Sequence, residues 1–197
     1  MSSDAKTLSV YAEKADDYLE MVRKEAGSPI LKTFMGGLPK GAHVLDLGCG
    51  PGVSSAVMAD AGMTVDATDA VPEMVAMADA HPGVSARLAR FEQIDGTDVY
   101  DGIWANFSLL HAAKADMPSH LARLRRALKP GGLFHIGLKT GTGEHRDKIG
   151  RFYAYYTQEE LSDLLKDAGF TPFSSVTGTE PGLSGEDAPW VCIAAHG

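Results

Sequence analysis

The chain is short of positive charge. Its 197 residues include 18 Lys or Arg against 26 Asp or Glu, so its formal net charge is −8 at pH 7. An acidic chain disfavours tight electrostatic binding of nucleic acid or of an anionic membrane surface. We therefore predict that neither nucleic acid nor a membrane is a partner.

Cysteines and long apolar runs are scarce as well. The two cysteines, Cys49 and Cys192, give no disulfide framework and are expected to be free thiols in a reducing compartment. No apolar run approaches the ~18 residues of a membrane span. The first ten residues, MSSDAKTLSV, lack the basic and apolar regions of a signal peptide. We expect a cytoplasmic protein, and no metal site is predicted.

The chain has the length of one domain. A chain of 197 residues can bury a full core, and no internal repeat, low-complexity tract or linker interrupts it. We predict a single domain over residues 1–197. Apolar residues recur at helical spacing from Asp4 to Glu25, and a second helix is predicted from Ser28 to Gly36. Residues 1–38 are thus predicted to form a helical lead-in.

A glycine-rich turn follows a short apolar strand. The segment from His43 to Gly52, HVLDLGCGPG, has glycine at three alternate positions, and a helix is predicted from Val53 to Ala61. Glycine permits positive φ and lets a ligand approach the backbone closely. Strand, turn and helix in this order open a nucleotide-binding βαβ unit. The third glycine comes one residue too early for a dinucleotide motif, and Asp46 would repel a pyrophosphate but attract an ammonium group.

These residues resemble the first motif of class I S-adenosylmethionine-dependent methyltransferases. The run ALKPGG at 127–132, before another apolar strand, is a second resemblance to that family. The resemblance implies that S-adenosyl-L-methionine is the cofactor and that its amino-acid end lies in the turn. The implied contacts are Asp46, Gly48, Cys49, Gly50 and Gly52. The runs LLHA and GRFYAYYT look like small bacterial methyltransferases of the tellurite-resistance-like kind.

Asp69 is the candidate for binding the cofactor's ribose. It lies 17 residues after Gly52, at the end of a predicted strand, and strand ends form the ligand crevice in an open parallel sheet. The alternative is that Asp69 or its neighbour caps the helix that follows. The resemblance also implies contacts with adenine in two places, just after Asp69 and at the end of the third strand. Met74 could equally belong to the core. The candidates are Ala70, Met74, Arg90 and Phe91.

The fourth predicted strand ends at Asn106, which the resemblance implies as a further cofactor contact. In the family the loop from there to His111 is where methyl acceptors meet the cofactor. The loop has neither the Asn-Pro-Pro-aromatic run nor the Pro-Cys pair of enzymes that methylate nucleic-acid bases. His111 is the candidate general base for a hydroxyl acceptor, since an unperturbed pKa near ~6.5 suits proton transfer at neutral pH. The alternative is that His111 only packs. The resemblance implies that Tyr11 and Tyr18 of the lead-in lie over the pocket, the alternative again being packing.

The order of elements predicts the fold. Strands alternate with helices, and the last two strands, joined without a helix, should pair antiparallel. We predict an α/β, Rossmann-like, doubly wound sheet of seven strands, mostly parallel with a C-terminal antiparallel hairpin. The resemblance implies methyl transfer to a small molecule, anionic if Arg146, Lys148 and Arg151 form a cationic rim. The alternatives are a cofactor-binding protein without turnover and a nicotinamide-dependent oxidoreductase, which the glycine spacing disfavours.

Overall fold

The computed structural model describes residues 4–197, so the first three residues of the predicted lead-in lie outside it. In chain order, the strands are β1 (His43–Leu47), β2 (Thr64–Asp69), β3 (Val84–Leu88), β4 (Tyr100–Asn106), β5 (Leu128–Lys139), β6 (Glu144–Arg146), β7 (Phe152–Ala154), β8 (Thr171–Pro181) and β9 (Asp187–His196). Seven of them form one sheet in the order β3-β2-β1-β4-β5-β9-β8, and β6 pairs with β7 separately.

The large sheet is parallel except for one strand. The pairs β1–β2, β1–β4, β2–β3 and β4–β5 are parallel, whereas β9 is antiparallel to both β5 and β8. The predicted mostly parallel sheet with a C-terminal antiparallel pair is confirmed. Because β1 pairs with β2 on one side and β4 on the other, the topological switch point lies at the carboxyl end of β1, where ligands bind in such sheets.

Helices cover both faces of the sheet. They are α1 (Ala5–Glu13), α2 (Ala15–Val22), α3 (Pro29–Gly36), α4 (Val53–Asp60), α5 (Pro72–Asp79), α6 (Met117–Ala127) and α7 (Gln158–Asp167). Alternation along the strands sends Val44 and Trp104 into one apolar cluster with α3 and α4, while Leu45 and Ile103 enter the other with α5, α6 and α7. Both sides of the sheet are therefore buried, as a parallel sheet requires.

The predicted continuous helix from Asp4 to Glu25 is wrong. It breaks at Lys14, whose φ of −114° and ψ of 25° lie outside the helical region, and it ends as a 3₁₀ turn at Arg23–Gly27. In a straight helix Tyr11 and Tyr18 would lie ~10 Å apart along the axis. With the break at Lys14, their ring centroids lie 5.1 Å apart. The two rings therefore pack against each other across the junction of α1 and α2.

The sequence also underestimated the pairing of β strands. The charged run KTGTGEHRDKIG at 139–150 has the composition of a loop, but it contains β6, which pairs with β7 from Glu144 opposite Ala154 to Arg146 opposite Phe152. Strand β5 begins at Leu128, five residues before the predicted start, because Leu128 pairs with Tyr100 of β4. Its Gly131 and Gly132 also exchange backbone hydrogen bonds with Gly197. No helix within residues 4–197 combines the length and apolarity that a membrane span needs.

Candidate functional site

The turn after β1 requires glycine. Gly48, Gly50 and Gly52 have φ of 69°, 54° and 81°, in the left-handed region that side chains rarely adopt. A Cβ at Gly48 would lie 2.3 Å from the Cβ of Ser108 in the segment after β4. The glycines therefore serve both the backbone conformation and close packing, as the sequence predicts.

Asp69, at the end of β2, holds this turn in place. Its Oδ2 accepts a hydrogen bond from the Gly50 amide at 3.0 Å, and its Oδ1 accepts one from the Val71 amide at 2.9 Å. The side chain is 1% exposed, and burial raises the pKa of its carboxyl. Each oxygen retains a lone pair, so the carboxylate can still accept hydrogen bonds from a bound diol.

A first cavity of about 280 Å³ lies on one side of the turn. Its walls combine apolar and aromatic side chains with one carboxylate, one imidazole and one serine hydroxyl. They are Tyr11, Tyr18, Gly48, Gly50, Asp69, Met74, Phe107, Ser108 and His111. Phe107 has a φ of 53°, a conformation that costs a residue with a side chain ~1–2 kcal/mol. The hydroxyl of Ser108, the next residue, is buried without a hydrogen-bond partner and so has a donor and acceptor to offer a ligand.

A second cavity of about 310 Å³ lies on the other side of the turn and shares Tyr18 and Gly48 with the first. Its lining is more polar and includes Glu25, Asp46, Cys49, Trp104 and Asn106. Asp46 is 3% exposed, and Ser55 Oγ donates to its Oδ2 at 2.6 Å. Burial, together with the negative charge of a neighbouring aspartate, raises the pKa of the Asp46 and Glu25 carboxyls to about 7.

His111 is held by hydrogen bonds at both ring nitrogens. Its Nδ1 donates to the carbonyl oxygen of Phe152 at 2.6 Å, so its Nε2 accepts from the Tyr11 hydroxyl at 2.9 Å. Arg151 Nη1 donates to the same hydroxyl at 2.8 Å. The ring is 1% exposed, and burial lowers its pKa to about 3. His111 is therefore a neutral hydrogen-bond acceptor occupied by Tyr11.

The predicted cationic rim is neutralised within the protein. Arg146 makes two hydrogen bonds to the carboxylate of Asp4, at 2.7 and 3.0 Å. Lys148 Nζ lies 2.7 Å from Glu186, and the buried Arg151 makes two hydrogen bonds to Asp147. Side-chain charge in these three residues is thus already matched by carboxylates.

Most of the predicted cofactor contacts converge around the turn, but some do not. Neither cavity is lined by Gly52, Ala70, Arg90 or Phe91. Arg90 is exposed and Phe91 packs against the ring of His120, so the adenine contacts at the end of β3 stay a prediction. The sequence analysis did not identify Glu25 and Trp104 as site residues. Glu25 lies in a helical pattern and Trp104 in a strand pattern, and neither belongs to a recognised motif.

Comparison with known proteins agrees with this geometry. A family described as methyltransferase domain matches residues 44–132. An uncharacterized methyltransferase of Synechocystis is 31% identical over 148 residues, which cover 66% of this chain and 68% of that protein. Trans-aconitate 2-methyltransferase of Delftia acidovorans is 32% identical over 139 residues, which cover 68% of this chain and 48% of that enzyme.

Among solved structures, 1,6-didemethyltoxoflavin-N1-methyltransferase of Burkholderia thailandensis, with its ligand and S-adenosylhomocysteine bound, has a TM-score of 0.79 and 27% identity. The match covers 98% of this chain and 87% of that one. This chain spans about half the length, or less, of the trans-aconitate and ubiquinone/menaquinone methyltransferases that it matches. The tellurite-resistance-like placement stays a prediction. The glycine turn, the sheet order and these similarities together show that the chain belongs to the class I S-adenosylmethionine-dependent methyltransferases.

Proposed function

We propose that this chain transfers a methyl group from S-adenosylmethionine to a small-molecule acceptor. The observation that carries the proposal is the pair of cavities on the two sides of one glycine turn, one reaching Asp69 and the other Asp46. The Asp69 carboxylate suits the ribose hydroxyls, Asp46 suits an ammonium group, and Met74 offers an apolar wall to adenine. S-adenosylmethionine supplies a methyl group already activated on a positively charged sulfur.

The protein's main task in this proposal is to align and enclose the reactants. Tyr11 and Tyr18 of the lead-in pack edge to face at 5.1 Å and line the first cavity above the turn. Aromatic walls exclude water, and rigid orientation of two reactants is worth ~7–11 kcal/mol. The lead-in thereby covers a site whose floor is formed by the carboxyl ends of the strands.

The low pKa and the hydrogen bonds of His111 favour an acceptor that reacts without giving a proton to a protein base. A buried imidazole with a pKa of about 3 is a weak base near neutral pH. Its Nε2 is also engaged by Tyr11, which would have to move aside. A carboxylate, thiolate or neutral amine needs no such base, whereas a hydroxyl acceptor would use His111 only after this rearrangement.

We further propose that the acceptor carries negative charge bound by Lys139. This residue ends β5 on the ligand side of the sheet, and its Nζ lies 4.2 Å from the ring centroid of Tyr153, which packs on His111. None of the ion pairs within residues 4–197 includes Lys139, unlike the three cations of the predicted rim. The relative named for trans-aconitate, an acid, is in keeping with this charge.

The first experiment measures thermal unfolding with S-adenosylhomocysteine and with NAD. We expect S-adenosylhomocysteine, but not NAD, to raise the melting temperature. At a hundredfold excess over Kd the ligand adds ~2.7 kcal/mol to the free energy of unfolding. Stabilisation by NAD alone would overturn the proposal in favour of an oxidoreductase. Absence of any shift with either ligand would also overturn it.

The second experiment screens labelled methyl transfer to small carboxylates and amines. Binding of S-adenosylhomocysteine without transfer to any acceptor would favour a cofactor-binding protein without turnover. With an acceptor found, Lys139→Met should raise KM for anionic acceptors about tenfold and leave KM for neutral ones unchanged, while Lys148→Met has no such effect. If instead Lys148→Met raises KM, the predicted rim replaces Lys139 as the anion site.

A further inference from the structure

Glu25 lies in the cofactor pocket although no motif includes it. It belongs to the 3₁₀ turn Arg23–Gly27 that ends the lead-in's first helical segment, and it lines the second cavity with Asp46, Gly48 and Asn106. The family match begins at residue 44, so this side chain comes from a part of the chain that the match does not cover.

A chain of polar contacts orients Glu25. His135 Nε2 donates to Asn106 Oδ1 at 3.1 Å, which leaves the Asn106 amide nitrogen to donate to Glu25 and favour its charged form. His135 itself is stacked on Trp104, with ring centroids 3.8 Å apart, and burial lowers its pKa to about 3, so it stays a neutral donor. The buried His135 and Trp104 thus fix Asn106, and Asn106 orients the Glu25 carboxylate that lines the cavity.

The charges around Glu25 are predominantly negative. Asp46 of β1 and Glu180 of β8 both disfavour its ionisation, and the Cys192 thiol of β9 lies close enough for Glu25 to raise its pKa. Lys24 is the nearby cation, but its Nζ is paired with Glu180 at 2.6 Å. No lysine or arginine within the described part of the chain lines this cavity. The buried Asp46 and the half-buried Glu25 face one cavity without a cation, which is unfavourable when both are ionised, so the cavity suits a positively charged ligand.

We propose that Glu25 binds the ammonium group at the amino-acid end of the cofactor, opposite Asp46. The inference rests on the proposed function, since it presupposes that S-adenosylmethionine occupies the turn. A metal ion is the competing cation, but no group of three His, Cys, Asp or Glu residues within residues 4–197 could hold one. Through Glu25 the lead-in supplies a direct contact to the cofactor as well as a cover.

The test compares two ligands that differ in the ammonium group. S-adenosylhomocysteine carries it, whereas 5′-methylthioadenosine retains the nucleoside and sulfur without the amino-acid end. Calorimetric affinities would be measured for the wild-type chain, for Glu25→Gln and for Glu20→Gln. Glu20 is the matched control, because it lies on the same lead-in but is exposed and paired with Arg23.

We expect Glu25→Gln to weaken S-adenosylhomocysteine binding at least tenfold at about pH 8, as for loss of a hydrogen bond to a charged group. Its affinity for 5′-methylthioadenosine should stay within about twofold of wild type, and Glu20→Gln should change neither. Unchanged S-adenosylhomocysteine affinity, or an equal loss for both ligands, overturns the role of Glu25. Failure of the wild-type chain to bind S-adenosylhomocysteine overturns the proposed function instead, so the two failures are distinguishable. Glu25→Asp, which keeps the charge, should recover part of the lost affinity.

Discussion

At the scale of single residues, one side chain often combines a structural and a ligand-binding task. Asp69 accepts hydrogen bonds from the amides of Gly50 and Val71. The carboxylate that fixes the turn is therefore the same one that is proposed to bind the ribose. His111 shows the opposite case, because its hydrogen bonds to Tyr11 and Phe152 leave little capacity for chemistry. Asp69 thus retains lone pairs that a ligand can use, whereas both ring nitrogens of His111 are already engaged.

Substitution of Asp69 should weaken binding of S-adenosylhomocysteine. Asp69→Ala is expected to reduce affinity more than tenfold, since it leaves the ribose hydroxyls and the Gly50 amide without an acceptor. Asp69→Asn, which keeps one acceptor oxygen, should have an intermediate effect. Calorimetry checks both, with the exposed Asp60→Asn as control. Wild-type affinity in Asp69→Ala would refute the ribose role.

The buried His111 should make stability depend on pH. Its pKa is about 3 in the folded chain against an ordinary value of 6.5, so the unfolded chain binds more protons between these values. His111 therefore contributes a rise in the free energy of unfolding with pH through this window, of up to ~1.4 kcal/mol per unit, whereas the carboxyls of Glu25 and Asp46, with raised pKa values, contribute in the opposite direction. Urea unfolding from about pH 4 to 6.5 should show a less positive slope for His111→Gln than for the wild type.

The control for this slope is His196→Gln, because His196 is exposed at the end of β9. It should keep the wild-type slope. His135, whose pKa is also lowered to about 3 by burial, contributes in the same direction, so His111→Gln reduces the slope without removing it. An identical slope in His111→Gln and wild type would contradict the prediction.

At the scale of elements, the site depends on how closely segments approach one another. The turn after β1 and the segment after β4 are in contact where Gly48 faces Ser108, and no side chain fits between them. The left-handed Phe107 sets the direction of that segment. The backbone at Gly48 and the ring of Tyr18 line both cavities, so this close approach brings the two cavities together.

Gly48→Ala should disrupt this contact beyond the cost of backbone strain. Gly41 is a matched control, since its φ of 72° resembles the 69° of Gly48 but a Cβ there meets nothing within 4 Å. Gly41→Ala should cost only the strain of ~1–2 kcal/mol. Gly48→Ala should cost more and abolish S-adenosylhomocysteine binding. Chemical denaturation and calorimetry measure the two effects.

Addition of Ser108→Gly to Gly48→Ala tests the cause. Removal of the Ser108 side chain relieves the clash, so the double variant should regain part of the lost stability. Equal destabilisation by Gly41→Ala and Gly48→Ala would show that strain alone acts and that the close approach is unimportant.

At the scale of the whole molecule, the pocket is assembled from distant parts of the chain. Lead-in, glycine turn, β2, α5, the end of β4 and the segment after it all contribute to it, and its cofactor side gathers negative charge at Glu25 and Asp46. Without a bound cation, ionisation of these carboxyls opposes folding because their pKa values are raised. Ligand binding and the charge state of the protein are thereby linked.

The affinity for S-adenosylhomocysteine should rise with pH and then level off. Below about pH 7 the two carboxyls hold protons in the free protein, and these must be released before they can face an ammonium group. We expect affinity to increase from about pH 5.5 to 7.5, with proton release measured by calorimetry in buffers of different ionisation enthalpy. Asp46→Asn should flatten this dependence. Affinity independent of pH in the wild type would contradict the linkage.

Local spacing in the sequence was enough to identify the glycine turn, the order of strands and helices, and Asp69 as a candidate ligand. These features depend on contacts within or between adjacent elements, where chain geometry leaves few alternatives. The tertiary structure decided the state of His111, which meets Tyr11 a hundred residues away, the contribution of Glu25, and the carboxylate partners of Arg146 and Lys148. Such contacts depend on burial and on long-range packing, and neither has a signature in local spacing.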